Sequence, residues 1–232
     1  DLWEIRLSAI KDSIVFIDED NSFAGTYEFA EKAKNSDNYY VIVMRESLPQ
    51  LPYSVDEIYT LKNRTKGYGQ IKRLYTSFQH IYERNSYGTF EKRPDYVIVE
   101  DSHSGYQFFR KVFEDQSIPC ISAQGKSNIC AEIEKTPVGS NVLIIADGAA
   151  FGPEIERTLA QRCKRNIVLF LPESFEWMIL SAGLVSDSSV DRILENPADS
   201  IESGRYFSWE RFFTKSLIDK TENTYLKYKN QD

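Results

Sequence analysis

Short apolar runs alternate with amphipathic stretches along most of the chain. The runs predict strands, and the stretches between them carry apolar residues at helical spacing. This alternation is typical of parallel sheets covered by helices, and continuous apolar runs indicate strands buried on both faces. The predicted strands are 13–17, 39–44, 96–99, 118–122, 142–146 and 167–171. The predicted helices are 26–34, 105–113, 127–134, 153–163 and 174–180.

The alternation breaks between Lys62 and Arg93, where basic and aromatic residues are interleaved and the central apolar spacing is helical. We interpret this stretch as a connector between two α/β units with parallel sheets. The sequence therefore predicts four segments: a first unit over 1–61, the connector over 62–93, a second unit over 94–185 and a helical extension over 186–232. In the extension, the aromatic residues at helical spacing predict packing: Tyr206, Trp209, Phe212 and Phe213.

The composition narrows the function classes only a little. The 232 residues are 41% hydrophobic and carry a net charge of −7, which argues against coating DNA by bulk attraction but permits a local basic patch. The three cysteines lack CxxC spacing and predict free thiols. There is no apolar run of about 18 residues and no signal-peptide pattern, so we predict a cytoplasmic protein without a membrane partner. The oligomeric state stays open.

Acidic residues follow three of the predicted strands of the second unit. Glu100 follows the strand at 96–99, Asp147 follows the one at 142–146, and Glu173 and Glu176 follow the last. Ligands bind at the carboxyl ends of parallel strands, and Mg²⁺ prefers oxygen ligands such as carboxylates. The pattern thus predicts a magnesium site at Asp147 with Glu173 or Glu176. The alternative is that these acids, and Asp101 above all, cap the helices that follow.

The order of elements and acids from about Asp95 to Leu180 resembles a Toprim domain, the topoisomerase–primase module also found in overcoming-lysogenization-defect nucleases. Glu100 matches the Glu that follows the first strand of that family. Asp147-Gly148-Ala149 matches the first acid of its Asp-x-Asp motif. The resemblance implies a Rossmann-like fold and a nuclease-type activity on phosphodiesters, with Glu100 as general acid/base and Asp147 as an Mg²⁺ ligand.

The chain also departs from this family pattern. Ala149 stands where the second metal-binding acid is expected, and Ser104 stands where a further acid is common. These departures favour an alternative from another class, a catalytically inert, nucleotide-responsive regulatory or interaction protein that keeps the folds.

Two basic features predict contacts with phosphates. Lys126 and Ser127 open a helix after a strand, where backbone amides and a lysine suit a phosphate group. Lys66, Lys72 and Arg73 belong to an acid-free stretch with interleaved tyrosines, a composition that suits a single strand of nucleic acid. A solvated surface explains that stretch equally well, so both interpretations stay open.

The first unit resembles the rear part of a P-loop ATPase. The strand at 13–17 runs into Asp18 and Glu19, as in a Walker B strand, and Arg45 follows the next strand at the place of a sensor residue. The resemblance implies that Asp18 orients Mg²⁺, that Glu19 polarises water and that Arg45 lies near the γ-phosphate. The sequence contains no GxxxxGK[ST] loop, so we expect ATP binding only if an upstream segment supplies one.

The chain as a whole is similar to little-characterised bacterial ATP-binding proteins that often carry the label "translation initiation factor 2". The segments that carry this similarity are 39–46, 51–55 and 171–176. Nothing in the sequence supports a role in translation.

Overall fold

A computed structural model describes residues 2–68, 71–82, 92–185, 187–195, 197–200, 209–225 and 227–229. The chain divides into two compact units, Asp1–Pro52 and Tyr53–Asp232. The break therefore follows Pro52, whereas the sequence prediction ended the first unit at residue 61.

The first unit is a small parallel sheet with helices on one face. Its elements are α1 (Leu2–Ser8), β1 (Ile14–Ile17), α2 (Tyr27–Lys34) and β2 (Tyr39–Ile42), and β1 pairs with β2 in parallel. Ile17 and Phe29 form the buried core, and Trp3 stacks on Phe23 with ring centroids 4.7 Å apart.

The prediction that strands are buried on both faces is wrong for β1. Both helices of the first unit pack on the face that carries Val15 and Ile17. Ile14 and Phe16 lie on the other face, where they are 63% and 76% exposed.

A long antiparallel ribbon opens the second unit. Its strands are β3 (Tyr59–Tyr68) and β4 (Ile71–His80), paired from Tyr59 with His80 to Tyr68 with Ile71. The helical spacing predicted within 62–93 is therefore wrong over these strands. Threonine, tyrosine and isoleucine favour a pleated strand, and cross-strand pairing satisfies the backbone groups that a helix would satisfy internally. Residues 83–91 of the predicted connector lie outside the described residues.

The main sheet of the second unit is parallel, with strand order β6-β5-β7-β8. Its strands are β5 (Tyr96–Val99), β6 (Cys120–Ser122), β7 (Asn141–Ile145) and β8 (Asn166–Phe170). The helices between and after them are α3 (Ser104–Glu114), α4 (Ile129–Lys135), α5 (Gly152–Ala160) and α6 (Phe175–Ser181). The predicted α/β class, with parallel sheets and flanking helices, is confirmed.

Side chains alternate between two cores because successive strand residues face opposite sides of the sheet. Ile98 and Ile144 are fully buried on one side with α4 and α5. Val97, Val99 and Ile145 lie on the other side and pack with residues of α3 and α6. The prediction of strands buried on both faces therefore holds for the central strands β5 and β7.

The C-terminal part forms the predicted helical extension. Its helices are α7 (Ser188–Glu195), α8 (Pro197–Ser200) and α9 (Trp209–Thr221). Phe213 and Leu217 of α9 are buried with Leu180 of α6 and Val190 of α7. The packing predicted for Phe212 and Phe213 is confirmed, and Tyr206 lies outside the described residues.

None of the helices within the described ranges has the length and the apolar run needed to cross a bilayer.

Candidate active site at the edge of the second sheet

Glu100 and Asp147 meet because their strands are neighbours. Val99 of β5 pairs with Ile145 of β7, and the Glu100 amide continues the ladder by donating to the Ile145 carbonyl at 2.8 Å. The Asp147 amide in turn donates to Oε2 of Glu100 at 3.1 Å. The two acids that the sequence placed at strand ends therefore lie side by side at one edge of the sheet.

These acids line a cavity of about 330 Å³. Its wall joins the ends of β5 and β7 to apolar side chains of α3 and α6 and to a glutamate of α9. Among the lining residues are Glu100, Asp101, Gln124, Asp147, Phe175 and Glu210. Electrostatic interactions are strengthened where carboxylates are buried among apolar groups, because less water screens them.

Burial and neighbouring charges shift the pKa values of both acids. The pKa of Asp147 lies well above its usual range, first because the carboxyl is buried and then because Glu100 is close. Burial also raises the pKa of Glu100, while the hydrogen bond from the Asp147 amide and the charge of Lys126 oppose that rise. Perturbed carboxyls in a cavity are typical of functional sites.

Asp101 has a capping role at this edge. Its carboxylate accepts hydrogen bonds from the amides of Ser102 at 2.6 Å, His103 at 2.9 Å and Gly105 at 2.7 Å. The Gly105 amide belongs to the first turn of α3, where the backbone donors lack partners within the helix, and the amides of Ser102 and His103 precede that turn. The helix-capping interpretation of Asp101 is therefore confirmed.

Lys126 links the loops that follow β6 and β7. Its Nζ donates to the Ala150 carbonyl at 2.7 Å, and the Gly125 amide donates to the Glu100 carbonyl at 2.9 Å. Gly125 has a φ of 120°, a conformation that favours glycine. Ser127 is exposed at the beginning of the following helical turn. The phosphate contact predicted for Lys126 and Ser127 stays a prediction, with Lys126 beside the acids.

Glu173 and Glu176 lie near the start of α6, and both are buried. Oε1 of Glu176 accepts a hydrogen bond from the Tyr228 hydroxyl at 2.6 Å. Burial and this bond raise the pKa of Tyr228. Neither glutamate is among the residues that line the cavity, although the charge of Glu176 contributes to the raised pKa of Asp147.

Glu210 is a site residue that sequence reasoning missed. It lies in the first turn of α9, lines the cavity and has a pKa raised first by burial and then by Glu176. Its neighbours Phe212 and Phe213 bury the helix against α6 and α7, which holds Glu210 at the cavity. The spacing of the aromatic residues around Glu210 predicted that the helix packs. Nothing in the local pattern indicated that it packs beside the edge of the main sheet, which is distant along the chain.

The first unit brings Glu19 and Arg45 together at the ends of β1 and β2. Arg45 donates from Nε and Nη2 to the two carboxylate oxygens of Glu19, at 2.6 and 2.8 Å. This fork lowers the pKa of Glu19. Asp18 is exposed and accepts from the Glu19 amide at 2.8 Å. The nucleotide roles predicted for these three residues stay predictions.

The structure also places the predicted phosphate-binding residues of the connector. Lys66 lies in β3, and Lys72 and Arg73 lie in β4, all within the ribbon.

Comparisons with protein-family models, curated proteins and solved structures found no match to this chain. Across the described part of the chain, no group of three or more His, Cys, Asp or Glu side chains is arranged to hold a metal ion.

Gly148 allows the loop after Asp147 to approach the end of β8. Its amide donates to the Pro172 carbonyl at 2.6 Å, and a Cβ at this position would lie 2.7 Å from the Leu171 carbonyl oxygen. We expect Gly148→Ala to lower the free energy of unfolding of the second unit by about 1–3 kcal/mol, because backbone has to move. Urea unfolding followed by circular dichroism measures this change.

Gly25→Ala, in the first unit, is the control for replacing a glycine where nothing lies within 4 Å of a Cβ. It should leave stability unchanged or raise it slightly. Equal stability of Gly148→Ala and the parent chain would show that the loop has room to relax.

The raised pKa of Asp147 predicts a pH-dependent cost to stability. The folded chain holds this proton to higher pH than the unfolded chain, so stability falls as pH rises above the usual range of an aspartate. We expect Asp147→Asn to raise the free energy of unfolding at pH 8 by on the order of 1 kcal/mol. The gain should vanish near pH 4.

Urea unfolding between pH 4 and pH 8 in the presence of a chelator gives this profile. Glu156→Gln removes an exposed carboxylate of the same unit and should not change the profile. A gain that is the same at every pH, or a loss at pH 8, would contradict the assignment.

Proposed function

We propose that the second unit is a Toprim-like, Mg²⁺-dependent module that acts on phosphodiesters, of the nuclease type. The observation that carries the proposal is the meeting of Glu100, Asp147 and Glu210 in one cavity at the carboxyl edge of a parallel sheet. Such an edge is where open α/β sheets bind ligands.

The chemistry of these donors suits Mg²⁺. This ion usually takes one or two protein carboxylates and keeps waters or substrate phosphates as its other ligands. Asp147 and Glu210 are the residues that would hold it. Burial, and after it the neighbouring acids, raises their pKa values, and a cation would offset the repulsion between the acids. When bound, the ion would polarise a phosphoryl oxygen and stabilise the charge on the leaving oxygen. Glu173 and Glu176 lie further back and would add negative charge.

Glu100 is the proposed general acid/base. Its pKa is raised and so lies closer to neutral pH, where an acid/base group is most effective. The amide of Asp147 fixes one carboxylate oxygen. Glu100 would take a proton from the attacking group or give one to the leaving oxygen.

The expected activity is nicking of supercoiled DNA that requires Mg²⁺ or Mn²⁺. Glu100→Gln and Asp147→Asn should abolish it. Glu210→Gln should lower the rate by at least about 10- to 100-fold, because loss of even an outer-shell group of a metal site commonly costs that much. Glu156→Gln is the control. An absence of nicking by the parent chain with every divalent ion tested would reject the proposal.

The first unit is proposed to be the rear part of a P-loop ATPase that is coupled to this module. Asp18 and Glu19 follow β1 and Arg45 follows β2, which is the order expected for Walker B and sensor residues. ATP binding requires a phosphate-binding loop that this sequence does not contain. A cytoplasmic location fits the proposal, since Cys120, Cys130 and Cys163 are free thiols.

A second candidate function is a regulatory or interaction protein that keeps these folds without the chemistry. Two observations favour it. Within the described ranges no three potential ligands are arranged around a metal position, and Ala149 replaces an acid of the motif. Under this alternative the cavity acids would affect stability and partner binding only.

Calorimetric titration with Mg²⁺ and Mn²⁺ separates the two functions. The nuclease proposal predicts saturable uptake of the ion that is lost in an Asp147→Asn, Glu210→Gln double variant and retained in Glu156→Gln. Uptake that is absent from the parent chain, or the same in all three proteins, would favour the regulatory protein.

A further inference from the structure

The ribbon of β3 and β4 is attached to the acid edge of the main sheet. Before the ribbon, the Tyr53 carbonyl accepts from the Gly152 amide at 3.0 Å, and the Val55 amide donates to the Gly148 carbonyl at 3.0 Å. After it, the Tyr82 hydroxyl accepts from the Leu171 amide at 3.2 Å. The segments that enter and leave the base of the ribbon are thus hydrogen-bonded to the loops that follow β7 and β8, beside Asp147.

The register of the ribbon separates its charges by face. Directly opposed residues of an antiparallel pair share a face, and successive residues alternate. The pairs Lys62 with Ser77, Arg64 with Tyr75, and Lys66 with Arg73 therefore fall on one face. Lys72 pairs with Gly67 on the other.

The cation-bearing face is opposite in charge to a nucleic acid. No acidic residue occurs between Tyr59 and His80, in a chain whose net charge is −7. Four cations on one face of a local element are the electrostatic signature of contact with a phosphate backbone. The other face begins with exposed apolar side chains at Tyr59, Leu61 and Phe78.

The shape of the ribbon favours a duplex over a single strand. Single strands are held in positively charged grooves, whereas β3 and β4 pair with each other as a two-stranded sheet. The major groove of B-DNA, about 12 Å wide, admits a two-stranded ribbon. Ten paired residues at about 3.4 Å each span roughly one turn of a duplex.

We propose that the ribbon places the face bearing Lys62, Arg64, Lys66 and Arg73 against the phosphates of a nucleic-acid duplex. This inference rests on the proposed function in one respect, since it makes duplex nucleic acid the substrate class of the neighbouring acids. Binding itself needs no cleavage, so the two ideas are tested separately.

The test is fluorescence anisotropy with a labelled 20-base-pair DNA duplex and with one of its single strands. The full chain carries Glu100→Gln, and a chelator is present, so nuclease chemistry does not contribute. We expect tighter binding of the duplex than of the single strand. The logarithm of the association constant should fall against the logarithm of salt concentration with a slope of about −3 to −4, because each contacted phosphate contributes about −0.9.

The test variant replaces the four ribbon cations: Lys62→Gln, Arg64→Gln, Lys66→Gln and Arg73→Gln. It should lose at least about tenfold in duplex affinity, and most of the salt dependence should disappear. The matched control removes the same charge from exposed residues elsewhere in the second unit: Arg110→Gln, Lys111→Gln, Arg162→Gln and Lys164→Gln. The control should keep its affinity within about twofold.

Circular dichroism first establishes that both variants are folded. Equal weakening in test and control variants, tighter binding of the single strand, or no binding at 50 mM salt would overturn the proposal. If the parent chain nicks DNA in a metal-dependent way but fails this binding test, duplex binding by the ribbon is rejected and the proposed nuclease activity is kept. If the ribbon binds duplex but the parent chain does not nick DNA, the nuclease activity is rejected and duplex binding is kept.

Discussion

The parallel pairing of β5 with β7 is the constraint on which the candidate site depends. It sets Val99 beside Ile145, so the residues that follow both strands leave the sheet at the same place. The backbone carries this arrangement further, because the Asp147 amide donates to the carboxylate of Glu100. The two acidic side chains are thereby held together.

Holding them together opposes folding, and several local features offset that cost. The amide of Asp147 and the charge of Lys126 favour the ionised form of Glu100. Lys126 also ties its loop to the Ala150 carbonyl. For Asp147, by contrast, burial and the neighbouring acids disfavour the ionised form. An unfavourable charge arrangement that the fold maintains is typical of a functional site rather than a structural one.

The sequence predicted the parts of the molecule that local pattern determines. The strands at 96–99 and 142–146 were clear because they are apolar throughout, and the acids after them followed from strand order alone. Glu210 was missed because only tertiary packing of Phe213 and Leu217 brings α9 to the cavity. The ribbon was missed because its apolar positions fit helical spacing as well as alternation, and cross-strand pairing decided between them. The exposure of Phe16 in β1 was missed because it depends on which face of the sheet the helices cover.

An acidic cavity in an acidic chain repels phosphates, so a phosphodiester substrate needs cations near the site to approach it. Lys126 is one such group, since its charge lowers the pKa of Glu100, but its Nζ is already engaged with a backbone carbonyl. The sequence of the ribbon is free of acids and rich in cations, and Tyr53, Val55 and Tyr82 fix its base to the loops beside Asp147. Attraction of the substrate and chemistry on it would thus be divided between two neighbouring elements. The ribbon would then contribute to binding at every pH, whereas the acids would act only in the protonation states that their crowding sets.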